Sequence, residues 1–291
     1  MRGRVRWPRD LVCKPAIAPD PRFAVDASRS DPDPPRLKVP LLLEVAPGHG
    51  CVAHMPVFPG LCFRAGDPAA VPAVASRHVV LYARWLREHD ARELSPDTAE
   101  LVRRLRAGSL SDLEIVETER RIGSPVWLSG NPAVLFQHDR RALSDASVGA
   151  HISLIRLVLA STRRLVAPLS PTQSARTPAP GQRSINETLE HIGNCIWWYC
   201  SRIDDDLPEP EEPPGEQWLA RMDRLLDAAC AFLLGIRLRA RTDVHVPKRF
   251  PTSDPAEEWT HAKVCRRQAE HVWEHLPGIR RAVEVARETG A

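Results

Sequence analysis

The sequence predicts an α+β fold class for its first half: a small domain with a three-stranded antiparallel sheet plus a helix. An all-α four-helix bundle is predicted to follow it. Three observations point there. Residues 39–65 alternate in apolarity over short runs and are broken by Pro-Gly turns, the pattern of brief strands. From Val148 onward the apolar residues recur at helical spacing instead. Four such amphipathic segments follow one another, and each has to hide its stripe against the others.

Residues 1–36 carry Pro8, Pro15, Pro19, Pro21 and a run from Asp31 to Pro35 with no apolar period, so a disordered tail is expected. Its basic cluster, Arg2, Arg4, Arg6 and Arg9, reads as solvated. Leu41, Leu43 and Val45 alternate with Leu42 and Glu44 as a first strand, and Pro47-Gly48-His49-Gly50 turns the chain. Cys51 to Met55 makes the second strand, Phe58-Pro59-Gly60 a second turn, and Leu61 to Ala65 the third strand. Asp67 caps a helix that Pro68 opens, where the missing N–H costs nothing. Its expected stripe is Val71, Val74, His78, Leu81, Tyr82 and Trp85. Ser95, Pro96 and Gly108 bound a short second helix, and residues 113–122 read as one more strand. The α+β domain is placed at 37–122, and residues 123–147, with Pro125, Gly130 and Pro132, form a connector.

The bundle is placed at 148–288. Ile152, Ile155, Val158, Leu159 and Leu165 mark its first helix, and a loop with Pro168, Pro171, Pro178 and Pro180 ends it. Ser184 and Glu187 form a capping box for the second, whose stripe is Ile185, Leu189, Ile192, Ile196, Tyr199 and Ile203. The third runs from about Glu216 to Leu234 through Trp218, Met222, Leu225, Leu226, Ala229 and Leu233. The fourth is expected to start at Asp254-Pro255, with His261, Cys265, Val272, Leu276, Ile279 and Val283 as its stripe.

Composition narrows the function classes. The 291 residues suit two domains, and 43% hydrophobic residues suffice for real cores. A net charge of +3 on nearly balanced acids and bases gives no case for nucleic acid. No apolar run is long enough for a membrane span, and no secretory signal is expected. Seven cysteines without Cys-x-x-Cys spacing fit reduced thiols in a cytoplasmic protein.

His271 and His275 are four apart and project from one helix face, while His191 flanks the stripe of the second helix. If those helices face each other, three imidazoles converge at the core edge. Three protein nitrogens with one open position make a catalytic rather than a structural divalent site. Spacing alone does not decide this, since eleven histidines make such pairs common.

Two resemblances add to this reading. Leu43-Glu44-Val45, Ala53-His54-Met55-Pro56, Phe58-Pro59-Gly60 and Gly66-Asp67 make the first domain resemble the HicB-like family, whose members are small α+β modules, several of which bind a partner protein. Ser184-Ile185-Asn186-Glu187 through His191-Ile192, then Trp197-Trp198-Tyr199, resemble the second helix of DinB-like proteins. Glu257-Glu258-Trp259-Thr260, Arg266-Arg267 and Glu270-His271 through His275-Leu276 resemble their fourth. That resemblance spans about residues 148–286. It implies a divalent metal ion on His191, His271 and His275, with Zn, Ni or Fe all suited to imidazole. It further implies a metal-dependent thiol transferase or hydrolase acting on a small molecule.

The alternative is a non-catalytic scaffold whose first domain recognises a partner. A homodimer is compatible with either, and neither nucleic acid nor membrane is expected as partner. Cys195 is the rival ligand, Trp198 the expected pocket wall, and Glu187 or Glu190 the expected support for His191. Pro277-Gly278 predicts a kink or break in the fourth helix just after His275. His54, His78 and His245 show no partner in the sequence and are left out of the site.

Overall fold

A computed structural model of the chain describes residues 36–91, 94–107, 113–123, 134–249 and 257–288. The expected tail (Arg36 apart), Gly108, the connector residues Pro125, Gly130 and Pro132, and the helix start at Asp254-Pro255 lie outside these residues.

The chain opens with strands β1 (Leu37–Ala46), β2 (Gly50–His54) and β3 (Cys62–Ala65). Two helices follow, α1 (Val71–Glu88) and α2 (Pro96–Arg106), and then strand β4 (Leu113–Ile122). The sheet has four strands in the order β3-β2-β1-β4, with β1 antiparallel to β2, β2 antiparallel to β3, and β4 parallel to β1. The three-stranded antiparallel expectation is therefore corrected to a four-stranded mixed sheet. The physical reason is the connection: antiparallel neighbours announce themselves by a tight turn, whereas a parallel neighbour arrives after a long crossover that leaves no local signal. Here α1 and α2 are that crossover.

The Phe58-Pro59-Gly60 turn is as read, and its glycine is required. Gly60 has φ +79°, and a Cβ there would meet the Leu154 side chain and the Ala269 backbone carbonyl. Tyr82 Oη donates to the Pro59 carbonyl at 2.7 Å and pins the turn to α1. The buried face of α1 is rotated from the expected stripe. Val71, Ala75, Val79, Tyr82, Ala83, Trp85 and Leu86 are buried, while Val74 and Leu81 are exposed at 36% and 49%. The small Ala75 and Ala83 let the helix lie close to its neighbours, and a reading led by the larger side chains misses them.

The second half is helical. Its helices are α3 (Asp145–Val166), α4 (Pro171–Ala175), α5 (Ile185–Cys200), α6 (Trp218–Gly235) and α7 (His261–Glu288). Ser144 caps α3, so it starts ahead of Val148. The proline-rich loop is not featureless: Pro171 opens the five-residue α4, which Ser170 and Gln173 hold in a capping box. The predicted Ser184–Glu187 capping box of α5 is present. The four long helices close a ring in which α7 packs on α3 and α5, and α6 packs on the same two.

Two expectations for α7 are corrected. Residues 257–260 are not helical: Trp259 and His245 exchange backbone hydrogen bonds as an isolated bridge, and the helix begins at His261. The helix is not broken at Pro277 but continues through it to Glu288. Pro277 and Gly278 are exposed, so water can serve the Trp273 carbonyl that the proline leaves without its helix hydrogen bond.

One buried apolar cluster runs through both halves, from Val39 and Leu43 of the sheet to Val264 and Val283 of α7. Every residue from His261 to Val272 is buried, because that stretch of α7 has the sheet on one side and the other helices around the rest. Among the described residues no helix is long and apolar enough to cross a membrane.

Candidate metal centre

The three histidines named from the sequence come together. One nitrogen from each of His191, His271 and His275 lies within 4.8 Å of the others. The ring centroids are 4.9 Å apart for His191–His271, 5.1 Å for His191–His275 and 4.6 Å for His271–His275. All three pairs are edge to face, so the rings do not stack on one another. Around one ion at about 2 Å such nitrogens stand about 3.3 Å apart, so the set needs only a small inward turn of the rings.

Burial tunes these imidazoles. His191 and His275 are each pushed down to about 4, by burial first and then by the positive charge of Arg183. His271 is held well below the usual imidazole range, through burial and then its two histidine neighbours. At neutral pH all three are uncharged and carry a lone pair, the state a metal requires. His271 is buried, and its Nε2 has no hydrogen-bond partner among the described residues. A buried polar atom of that kind is costly to leave unpaired. An ion in the shared space would satisfy it.

The surrounding residues differ from expectation. Cys195 Sγ lies 3.8 and 3.9 Å from the two ring nitrogens of His191 but does not join the three-nitrogen set. Burial pushes its thiol up to about 12, so it stays protonated. The ring beside the histidines is Tyr199, 5.7 Å from His271, rather than Trp198. Trp198 instead packs on Tyr199 and Trp259, with the Arg202 guanidinium over it at 4.4 Å. Glu187 is spent on the Ser184 cap and does not support His191.

Of the histidines set aside, His78 stacks on Phe63 at 4.0 Å and His245 bridges to Trp259. His54 is the one sequence reasoning missed. It is fully buried at the end of β2, and its Nδ1 lies 2.8 Å from Glu270, the residue before His271. The six cysteines among the described residues are all free.

Residues 154–277 match the DinB superfamily, so the chain carries a domain of that superfamily from within α3 to just past His275. All three histidines fall inside the match. No curated protein and no solved structure matches the chain. The resemblance of residues 37–122 to HicB-like modules finds no support in these comparisons. Short strands joined by Pro-Gly turns recur in many α+β domains, and residues 43–45, 53–56, 58–60 and 66–67 lie at such strands and turns.

Proposed function

We propose that His191, His271 and His275 hold one divalent metal ion, Zn, Ni or Fe, and that the protein uses it as a metal-dependent thiol transferase or hydrolase on a small molecule. The observation that carries this reading is the convergence of three neutral imidazoles from two helices within the DinB-matched span. Bound there with three protein ligands, an ion keeps an open position and can lower the pKa of a thiol or water at neutral pH.

The chain's own residues supply the rest. His191 from α5 and the His271–His275 pair from α7 fix the nitrogens on packed helices rather than on loops. Tyr199 closes the side of His271, and burial holds its phenol well above its usual range, so it remains a proton donor. Arg183 precedes the α5 cap, and its positive charge bears on all three imidazoles. That charge favours an anionic group at the open position.

One observation favours the alternative, a non-catalytic scaffold. The carboxylates that precede each histidine of the pair, Glu270 and Glu274, are both held by arginines and are poorly placed to act as a base. Elemental analysis separates the readings. The wild-type protein is expected to carry about one ion per chain, as purified or after loading with Zn or Ni. The His271→Ala variant should lose it. A wild type that holds no metal even after loading leaves only the scaffold.

A further inference from the structure

We propose that His54 is a positioning residue for the three histidines: through Glu270 it locks α7 in the rotation that presents His271 and His275 to His191. This rests on the metal reading above and extends it to the sheet.

Helix α7 has two working faces. Arg266, Glu270 and Glu274 recur every fourth residue and face the sheet side. Arg266 makes a two-pronged bond to Asp139 at 2.8 and 2.7 Å, Glu270 meets His54, and Glu274 meets Arg64 of β3 at 3.4 Å. Gln268, His271 and His275 lie on the other face, toward α5. Gln268 Nε2 donates to the Ile196 carbonyl at 2.9 Å and to Cys200 Sγ at 3.2 Å, and the two imidazoles meet His191. Fixing the first face fixes where the second one points.

Glu270 is the centre of that lock. One carboxylate oxygen accepts from His54 Nδ1 at 2.8 Å and from Arg266 Nη1 at 3.3 Å. The other accepts from Arg266 Nη1 at 3.1 Å and Arg267 Nη1 at 2.6 Å. His54 Nδ1 also lies 3.0 Å from Arg266 Nη1, but one nitrogen cannot both accept there and donate to Glu270. The shorter contact, to a carboxylate, assigns the proton to Nδ1. The two arginines come from α7 itself and move with it. Among the described residues, His54 is the partner of the Glu270 carboxylate that comes from the sheet; Cys62 of β3 reaches only the Glu270 backbone carbonyl, with Sγ at 4.0 Å.

The required tolerance is small. At the outer radius of a helix, about 5–6 Å, a turn of about 10° about the axis carries a side-chain tip about 1 Å. Metal sites lose performance at errors of that size.

The test uses the full chain and Co(II) as probe, read by its visible absorption. His54→Ala removes the tie, and His54→Leu removes it while keeping the volume, should the alanine variant fold poorly. Either is expected to weaken Co(II) binding about 10- to 100-fold and to alter the absorption spectrum at saturation. His54→Asn puts an amide donor near the place of Nδ1 and should restore both. A merely structural role would lower stability and leave the saturated spectrum as it is. A folded His54→Leu protein with wild-type affinity and spectrum overturns the proposal and spares the metal reading. A wild type that takes up no Co(II) overturns the metal reading and this one with it.

Discussion

At the scale of single residues, the site joins side chains one helix turn apart with side chains from opposite ends of the chain. His271 and His275 share a helix turn, and their pairing could be read directly. His54 and Glu270 are 216 positions apart, so nothing near His54 hints at its partner. Gly60 sits between these cases: the turn was legible, the close approach of Ala269 was not. Its substitution by alanine would force an L side chain into a left-handed backbone and against a backbone carbonyl that cannot give way. Gly60→Ala is expected to destabilise by about 2–4 kcal/mol in urea unfolding. A cost below about 0.5 kcal/mol, the usual range for surface changes, would contradict that packing.

The histidines also set a pH dependence. Burial is the largest cause that lowers His138, His151 and His261, and it acts likewise on the three site histidines, of which His191 and His275 stand at about 4. Unfolded histidines titrate near 6.5, so between about 6.5 and 4 the unfolded chain takes up protons that the folded one refuses. This contribution to stability is complete above 6.5 and is lost as pH falls toward 4. The urea midpoint of metal-free protein should therefore drop between about pH 7 and pH 5. A midpoint that stays level would show these imidazoles to be solvated.

At the scale of elements, the capping boxes and turns were legible because each is a local bargain between a side chain and its own backbone. The Ser184–Glu187 box needs four residues and no fold. The pairing of β4 with β1 needs the whole crossover, and the buried charge on α7 needs the sheet. Lys263, Arg266, Arg267 and Glu270 are charged residues whose burial no local pattern announces, yet all four are buried. These elements also differ in what they contribute. Ser184→Ala removes one cap and should cost about 1 kcal/mol. Asp139→Ala strips the two-pronged partner from a buried guanidinium. Glu270 still faces that charge, so the loss should fall near the low end of the range for such pairs, about 3 kcal/mol. Urea midpoints of the two variants, compared at equal slope, check the ordering. An Asp139→Ala protein as stable as Ser184→Ala would mean that water reaches Arg266.

At the scale of the whole molecule, the question is whether the two halves stand alone. Sequence divides them, because their periodicities differ and a connector lies between. The apolar cluster joins them instead, and α7 is the shared element, covered by the sheet on the face that carries Arg266, Glu270 and Glu274. A chain beginning at residue 134 keeps all four long helices, the DinB-matched span and the three histidines. It loses His54 and Arg64, and with them the apolar wall of the sheet. Glu270 and Glu274 would then face water with arginines of their own helix, while Val264 and Ala269, buried in the full chain, would lose neighbours. Removing that wall costs transfer free energy at about 25 cal/mol per Å² of apolar surface re-exposed, against a net stability of only about 5–15 kcal/mol. The fragment is expected to keep helical circular dichroism, bind a hydrophobic dye and unfold without a cooperative transition. It should also hold Co(II) more weakly than the full chain, since the ties of His54 to Glu270 and of Arg64 to Glu274 are gone while Asp139 and Ile196 still hold α7. A fragment that unfolds cooperatively and binds Co(II) as the full chain does would return the sheet to the status of an independent module.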